Sequence, residues 1–146
     1  MHREPADPDL LNDALDLLNV ALGTPFAVAS RIEDGRFTVV GLDDRIDTGM
    51  NVGDEFDTAE TFCRTISASG GPVSIPHASS DERVAGIYAN AELGLEAYLG
   101  LPITVGGEQY GTIAVCDSEP RAFDEEDRRR AEAAARLVEV GVAEAV

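Results

Sequence analysis

An α+β domain built on a central antiparallel sheet is the fold class this sequence predicts, and three observations carry it. Residues 97–117 read as two strands and a tight turn. Ala97, Leu99, Leu101, Ile103 and Val105 alternate, Gly106-Gly107 interrupts, and a second alternating run follows. Period-two alternation around Gly-Gly is a hairpin signal, because glycine takes the positive φ angles of such turns at little cost. In the second run, Ile113 and Val115 share one face, and Tyr110, Thr112, Ala114 and Cys116 share the other. Both faces are largely apolar, so this pair belongs at the centre of a sheet covered on both sides. The remaining strand candidates are joined by hairpins or short helical crossovers, which is the α+β pattern.

The elements follow in order. Asp7 and Pro8 open a first helix as cap and first position. Leu11, Ala14, Leu15, Leu18, Ala21 and Leu22 form its apolar stripe, and Gly23 and Pro25 end it. Phe26–Ile32 and Arg36–Leu42 are strands, with Glu33-Asp34-Gly35 as the turn between them. Residues 43–57 are polar and acidic and read as a loop. A second helix is expected from Asp57 to residue 69, with Asp57 and Glu60 as a capping box and Gly70-Gly71-Pro72 as its stop. Val73–Ile75 is a short strand closed by Pro76. Ser79 or Ser80 caps a short helical segment through Val84, Ile87 and Tyr88. Asp124 caps a final alanine-rich helix carrying Ala131, Ala134, Ala135, Leu137, Val138 and Val142. Its shallow stripe suits close packing against another helix.

The 146 residues suit one domain, expected to span 1–146 with a disordered tip at 1–6. The net charge is −17, and all 11 basic residues are arginine. Such a surface repels nucleic acid and anionic membranes, so neither is an expected partner. It suits either a salt-rich cytoplasm or a genome that encodes arginine in place of lysine. The longest apolar runs fall short of a membrane span, and the N-terminus lacks the apolar core of a signal peptide, so a cytoplasmic location is expected.

The segments TFCRTI at 61–66, PVSIPHASSDERVA at 72–85, YLGLPI at 98–103 and YGTIAVCDSEPRAFDEED at 110–127 resemble, in this order, the GAF domain family. The resemblance covers nearly the whole chain. It implies a non-catalytic sensing and dimerisation module of the kind found beside histidine kinases, diguanylate cyclases, cyclic-di-nucleotide phosphodiesterases or transcription regulators. It implies helices 8–22, 57–69 and 124–145 on one sheet face, and short helices over a small-molecule pocket on the other. The chain has no lysine, which departs from the cyclic-nucleotide-binding branch. Its middle segment holds His77 but no cysteine, which departs from covalent bilin attachment.

Tyr98 and Tyr88 lead the pocket candidates, since an apolar ring with a polar tip holds and orients a guest. Ile87, Val84, Thr112, Ala114 and His77 complete the expected ligand pocket; the alternative for the tyrosines is that their rings fill the space. His77 is one histidine without a second ligand, which makes a poor metal site, and no metal or cofactor is expected. Cys63 and Cys116 read as buried packing thiols, with a redox pair as the alternative. Arg64 adjoins Cys63 but points away from it on a helix. Asp43, Asp44, Asp47, Asp54, Glu55 and Asp57 lack the spacing of a calcium loop and read as solvated acids. Asp81, Glu82 and Arg83 read as a capped helix start, or as a lid. The expected assembly is a homodimer through the first and last helices, with an attached or separate signalling output domain. A ligand-free interaction module is the competing reading.

Overall fold

The computed structural model describes residues 8–145; the expected cap at Asp7 and the expected disordered tip at 1–6 lie outside them. In chain order the elements are α1 (Pro8–Leu22), β1 (Phe26–Glu33), β2 (Arg36–Asp44), β3 (Glu55–Asp57), α2 (Arg64–Ser69), β4 (Val73–Ile75), α3 (Tyr88–Ala91), β5 (Ala97–Val105), β6 (Glu108–Asp117) and α4 (Glu125–Ala145). Short 3₁₀ turns occupy Thr58–Glu60 and Ala78–Ser80. The strands form one antiparallel sheet in the order β3-β2-β1-β6-β5-β4. The β5–β6 hairpin is thus interior, as its two apolar faces require.

Both hairpin turns have two residues at positive φ, Asp34 and Gly35 in one and Gly106 and Gly107 in the other. That geometry matches the right-handed twist of the strands it joins.

One face carries α1 and α4. Leu11, Leu15, Leu18 and Leu22 of α1 meet Ala27, Ala29, Leu99, Leu101, Ile103, Ile113 and Val115 of the sheet and Ala131, Ala134, Ala135, Val138 and Val142 of α4. Each fully buried leucine contributes roughly 1.5–3 kcal/mol by leaving water. The alanines let α4 lie close to α1, and α1 lies close to the sheet where Gly41 sits: a Cβ there would be 2.7 Å from the Cβ of Leu11. Buried Asn19 fastens the end of α1, donating to the carboxylate and carbonyl of Asp43 and accepting from Thr24. The guanidinium of Arg121 donates to the carbonyls of Leu22 and Gly23, and Arg130 donates to that of Ala21. Cations there complement the negative helix end.

The opposite face carries Phe26, Val28, Phe37, Val39, Tyr98, Ala114 and Cys116 from the strands. Phe62, Cys63, Ile66, Ala78, Val84, Ala89 and Leu95 cover them.

The sequence expectations need several corrections. The loop expected at 43–57 contains β3, whose Phe56 pairs with Phe37 of β2. The helix expected at 57–69 is a 3₁₀ turn followed by the six-residue α2. Asp57 does cap, but it accepts from Ala59, and Glu60 reaches across to accept from the backbone N–H of Tyr88. This second helix also packs on the face opposite α1 and α4, because Phe62, Cys63 and Ile66 point at Tyr98, Ala114 and Cys116. The helical segment expected through Val84, Ile87 and Tyr88 is broken at Gly86, whose φ is 81°. Asp81, rather than a serine, holds its start by accepting from Arg83. Finally, Tyr110 leaves the face of Thr112 and Ala114 and packs with the helix-side core. A bulge lies where Ile103 pairs with Gly111 and Thr104 pairs with Gln109, and the extra residue reverses the alternation.

The last helix starts as expected. Asp124 accepts from the N–H of Asp127, and Asp127 accepts from that of Asp124, a reciprocal cap. Leu137 is the exception in its stripe: it is 62% exposed.

Candidate functional site: a two-lobed pocket

On the face away from α1 and α4, the covering segments leave a cavity of about 40 Å³. Phe26, Val28, Phe37, Tyr98, Ala114 and Cys116 form its floor, and Phe56, Phe62, Cys63, Tyr88, Ala89 and Leu95 stand around it. Its surface is almost wholly apolar. A second, polar recess of about 200 Å³ lies next to it, lined by Thr48, Gly49, Asp54 and Glu55. Met50, Phe56, Tyr88 and Leu93 border both spaces and so form the partition between them. Phe56 leans on Tyr88 with ring centroids 5.8 Å apart, and on Phe37 at 6.1 Å. Glu60 fixes the partition from below through its 2.9 Å hydrogen bond from the N–H of Tyr88.

Tyr98 sets the shape of the floor. Its ring lies along its own strand, so that a Cβ on Gly100 would stand 1.9 Å from the hydroxyl oxygen. Phe62 packs on the ring at 5.2 Å. The hydroxyl meets the Cys63 sulfur at 3.6 Å, that sulfur meets the Thr112 hydroxyl at 3.0 Å, and Thr112 meets Ser30 at 2.7 Å. This chain of buried polar groups crosses β5, β6 and β1 beneath the cavity. Burial pushes the Cys63 and Cys116 thiols up, Cys116 well up, and does the same to the Tyr98 hydroxyl. All three therefore stay protonated at neutral pH. A protonated thiol is a poor nucleophile.

Of the expected pocket residues, the structure brings Tyr98, Tyr88 and Ala114 together on the cavity wall. Thr112 lies one step below, bonded to Cys63. Val84 and Ile87 pack behind the wall in the same core. His77 stands apart, half-exposed, 3.2 Å from the Ser80 hydroxyl and 3.7 Å from Glu96. Burial raises the Glu96 carboxyl, yet hydrogen bonds from Ser79 and Asn90 outweigh that and hold it below its ordinary value. This network ties the covering segment to the start of β5. Asp81 pairs with Arg83 through two hydrogen bonds, chiefly responsible for its lowered carboxyl.

Sequence reasoning passed over Met50 and Phe56, which sat in a stretch dominated by acids and glycines. The acids themselves are engaged locally. Asp44 accepts from Ile46 and Thr48, Asp54 from Asn51, and Asp57 from Ala59. Among the described residues, no three His, Cys, Asp or Glu side chains converge as a metal site. Nor is any described helix long and apolar enough to cross a membrane.

The GAF domain family matches residues 8–143, and the chain belongs to that family. No curated protein sequence matches it. Among solved structures, it is similar to the phycocyanobilin-bound GAF domain from a cyanobacterial phytochrome, with a TM-score of 0.77 and 16% identity, covering 94% of this chain and 85% of that one. It is also similar to the GAF domain of an Acinetobacter phosphoenolpyruvate-protein phosphotransferase, with a TM-score of 0.73 and 16% identity, covering 92% and 80%. A third is the chromophore-binding domain of a bacteriophytochrome from R. palustris, with a TM-score of 0.70 and 16% identity. It covers 94% of this chain but only 56% of that structure. Identities this low establish the shared fold alone.

Proposed function

We propose that this GAF domain is a non-catalytic sensory module of a cytoplasmic signalling protein. It takes a small ligand in the two-lobed pocket and pairs with a second copy through α1 and α4. The single observation behind the ligand is the cavity itself: an apolar space over Tyr98 beside a polar recess, walled by mobile-sized side chains such as Met50 and Leu93. Occupancy would move α3 and the covering segment, and through the shared sheet would bias how α1 and α4 pack.

The pairing rests on a separate feature. Leu10, Leu17 and Val20 of α1 and Leu137 and Val140 of α4 are large, apolar and exposed, on the two helices that pack side by side. Leu10 lies beside Gly141, where a Cβ would come within 3.1 Å of it. Exposed apolar residues grouped this way mark interaction surfaces. An output domain, attached or separate, would read the helix pair.

A thermal-stability screen against nucleotides, linear tetrapyrroles and aromatic metabolites tests the ligand. A true ligand at a hundred times its Kd should stabilise by about 2.7 kcal/mol. An unchanged midpoint across the panel would leave dimerisation as the role, which sedimentation measures directly.

A further inference from the structure

The two lobes differ in chemistry, and the difference selects a ligand. We propose that the pocket takes a small amphiphile with a short apolar tail in the inner cavity and a cationic or uncharged hydrogen-bonding end in the outer recess, and that it rejects anions. This rests on the ligand-binding reading above.

The tail follows from volume. A cavity of about 150 Å³ accepts benzene, whereas the inner lobe offers about 40 Å³. It admits one or two carbons as it stands, and a longer tail or a ring as Phe56 and Tyr88 part. The one polar group on its floor that is poorly engaged is the Tyr98 hydroxyl, a strong donor whose partner is a sulfur 3.6 Å away.

The head follows from charge. Asp54 and Glu55 line the outer recess and Glu60 stands at the inner wall. Among the described residues, neither lobe is lined by an arginine or a histidine. Arg36 stands 3.8 Å from Glu55 and is held on that carboxylate. The chain carries a net charge of −17. An anion entering here would meet carboxylates, with the Arg36 guanidinium already held by Glu55.

The test uses three probes with one tail and three ends: butylamine, 1-butanol and butyrate, titrated by NMR at low salt. Butylamine should bind tightest and butyrate weakest, separated by about tenfold, with shifts at Met50, Tyr88, Ala114 and Cys116. Raising the salt should shrink the amine's advantage and leave the alcohol unchanged. Ala114→Ile should abolish binding of butylamine and butanol, by filling the inner lobe. Asp54→Asn combined with Glu55→Gln should remove the amine's preference and retain the alcohol. Butyrate binding as tightly as butylamine would overturn the assigned ligand class and leave the pocket reading intact. Saturable binding of none of the three at this wall would overturn both.

Discussion

On the helix side of the sheet, leucines from α1 and alanines from α4 meet Ala, Leu, Ile and Val of the strands. On the other side, phenylalanines, tyrosines, cysteines and short broken helices meet the same strands and leave a cavity and a recess. The sheet is common to both, so the difference lies in the covering elements. Two long helices of 15 and 21 residues present continuous stripes that interlock with a flat surface. Helices of four and six residues cannot, and the aromatic rings between them tile the gap imperfectly. The helix side is therefore expected to be the rigid one and the pocket side to yield.

The largest effect should come from cutting into the rigid side. Leu15 is fully buried against the sheet. Leu15→Ala should cost about 3 kcal/mol in denaturant unfolding. Met50→Ala at the pocket partition should cost less than half as much, since Met50 already borders open space.

Overpacking sharpens the contrast. Ala134→Leu forces a side chain between α4 and the sheet and should cost about 1–3 kcal/mol. Ala114→Val directs its extra methyls into the inner cavity and should change stability by under ~1 kcal/mol. Equal penalties would show that the two cores are packed alike.

Titration separates the sides by chemistry. The Cys63 and Cys116 thiols and the Tyr98 hydroxyl have raised folded-state values, with ordinary values of 9.0, 9.0 and 10.0. The stability tied to them is complete below those ordinary values and is lost as pH rises through the folded-state ones. Unfolding free energy should therefore fall above pH 9, by up to about 1.4 kcal/mol per pH unit for each proton involved. Cys63→Ala, Cys116→Ala and Tyr98→Phe should each flatten that slope.

Leu137→Glu should have the smallest effect on the folded monomer, within about 0.5 kcal/mol, because Leu137 lies in solvent. Sedimentation should nonetheless show a dimer of the parent chain reduced to monomer.

The rigid side was the more legible in sequence. The stripe of α1 apart from exposed Ala21, the Asp124 cap and the two hairpins obey local rules of spacing and capping, and the structure keeps them. Local rules failed where long-range contacts decided. Asp57 and Glu60 satisfy a capping box by spacing, but the Glu60 carboxylate is drawn to the backbone of Tyr88, 28 positions away. Tyr110 follows the alternation in sequence, yet the bulge turns it over. That bulge sits beside Gly111, where a Cβ would lie 1.7 Å from the Ser30 carbonyl oxygen. A glycine inside a strand was the available signal for it. Phe56 and Met50 reach the pocket from a stretch whose many acids masked its few apolar residues. The face taken by α2 could not be read from its own stripe, since an apolar stripe does not say which side of a sheet it meets.

Xenon tests the central contrast most directly, because it enters apolar cavities of sufficient size without needing a polar partner. Methyl and amide spectra recorded under xenon pressure should shift at Val28, Ala89, Ala114 and Cys116 and stay fixed at Leu15, Leu101, Val115 and Val138. Shifts of equal size on both faces, or confined to the α1–α4 side, would contradict the assignment of the yielding cavity to the Tyr98 face.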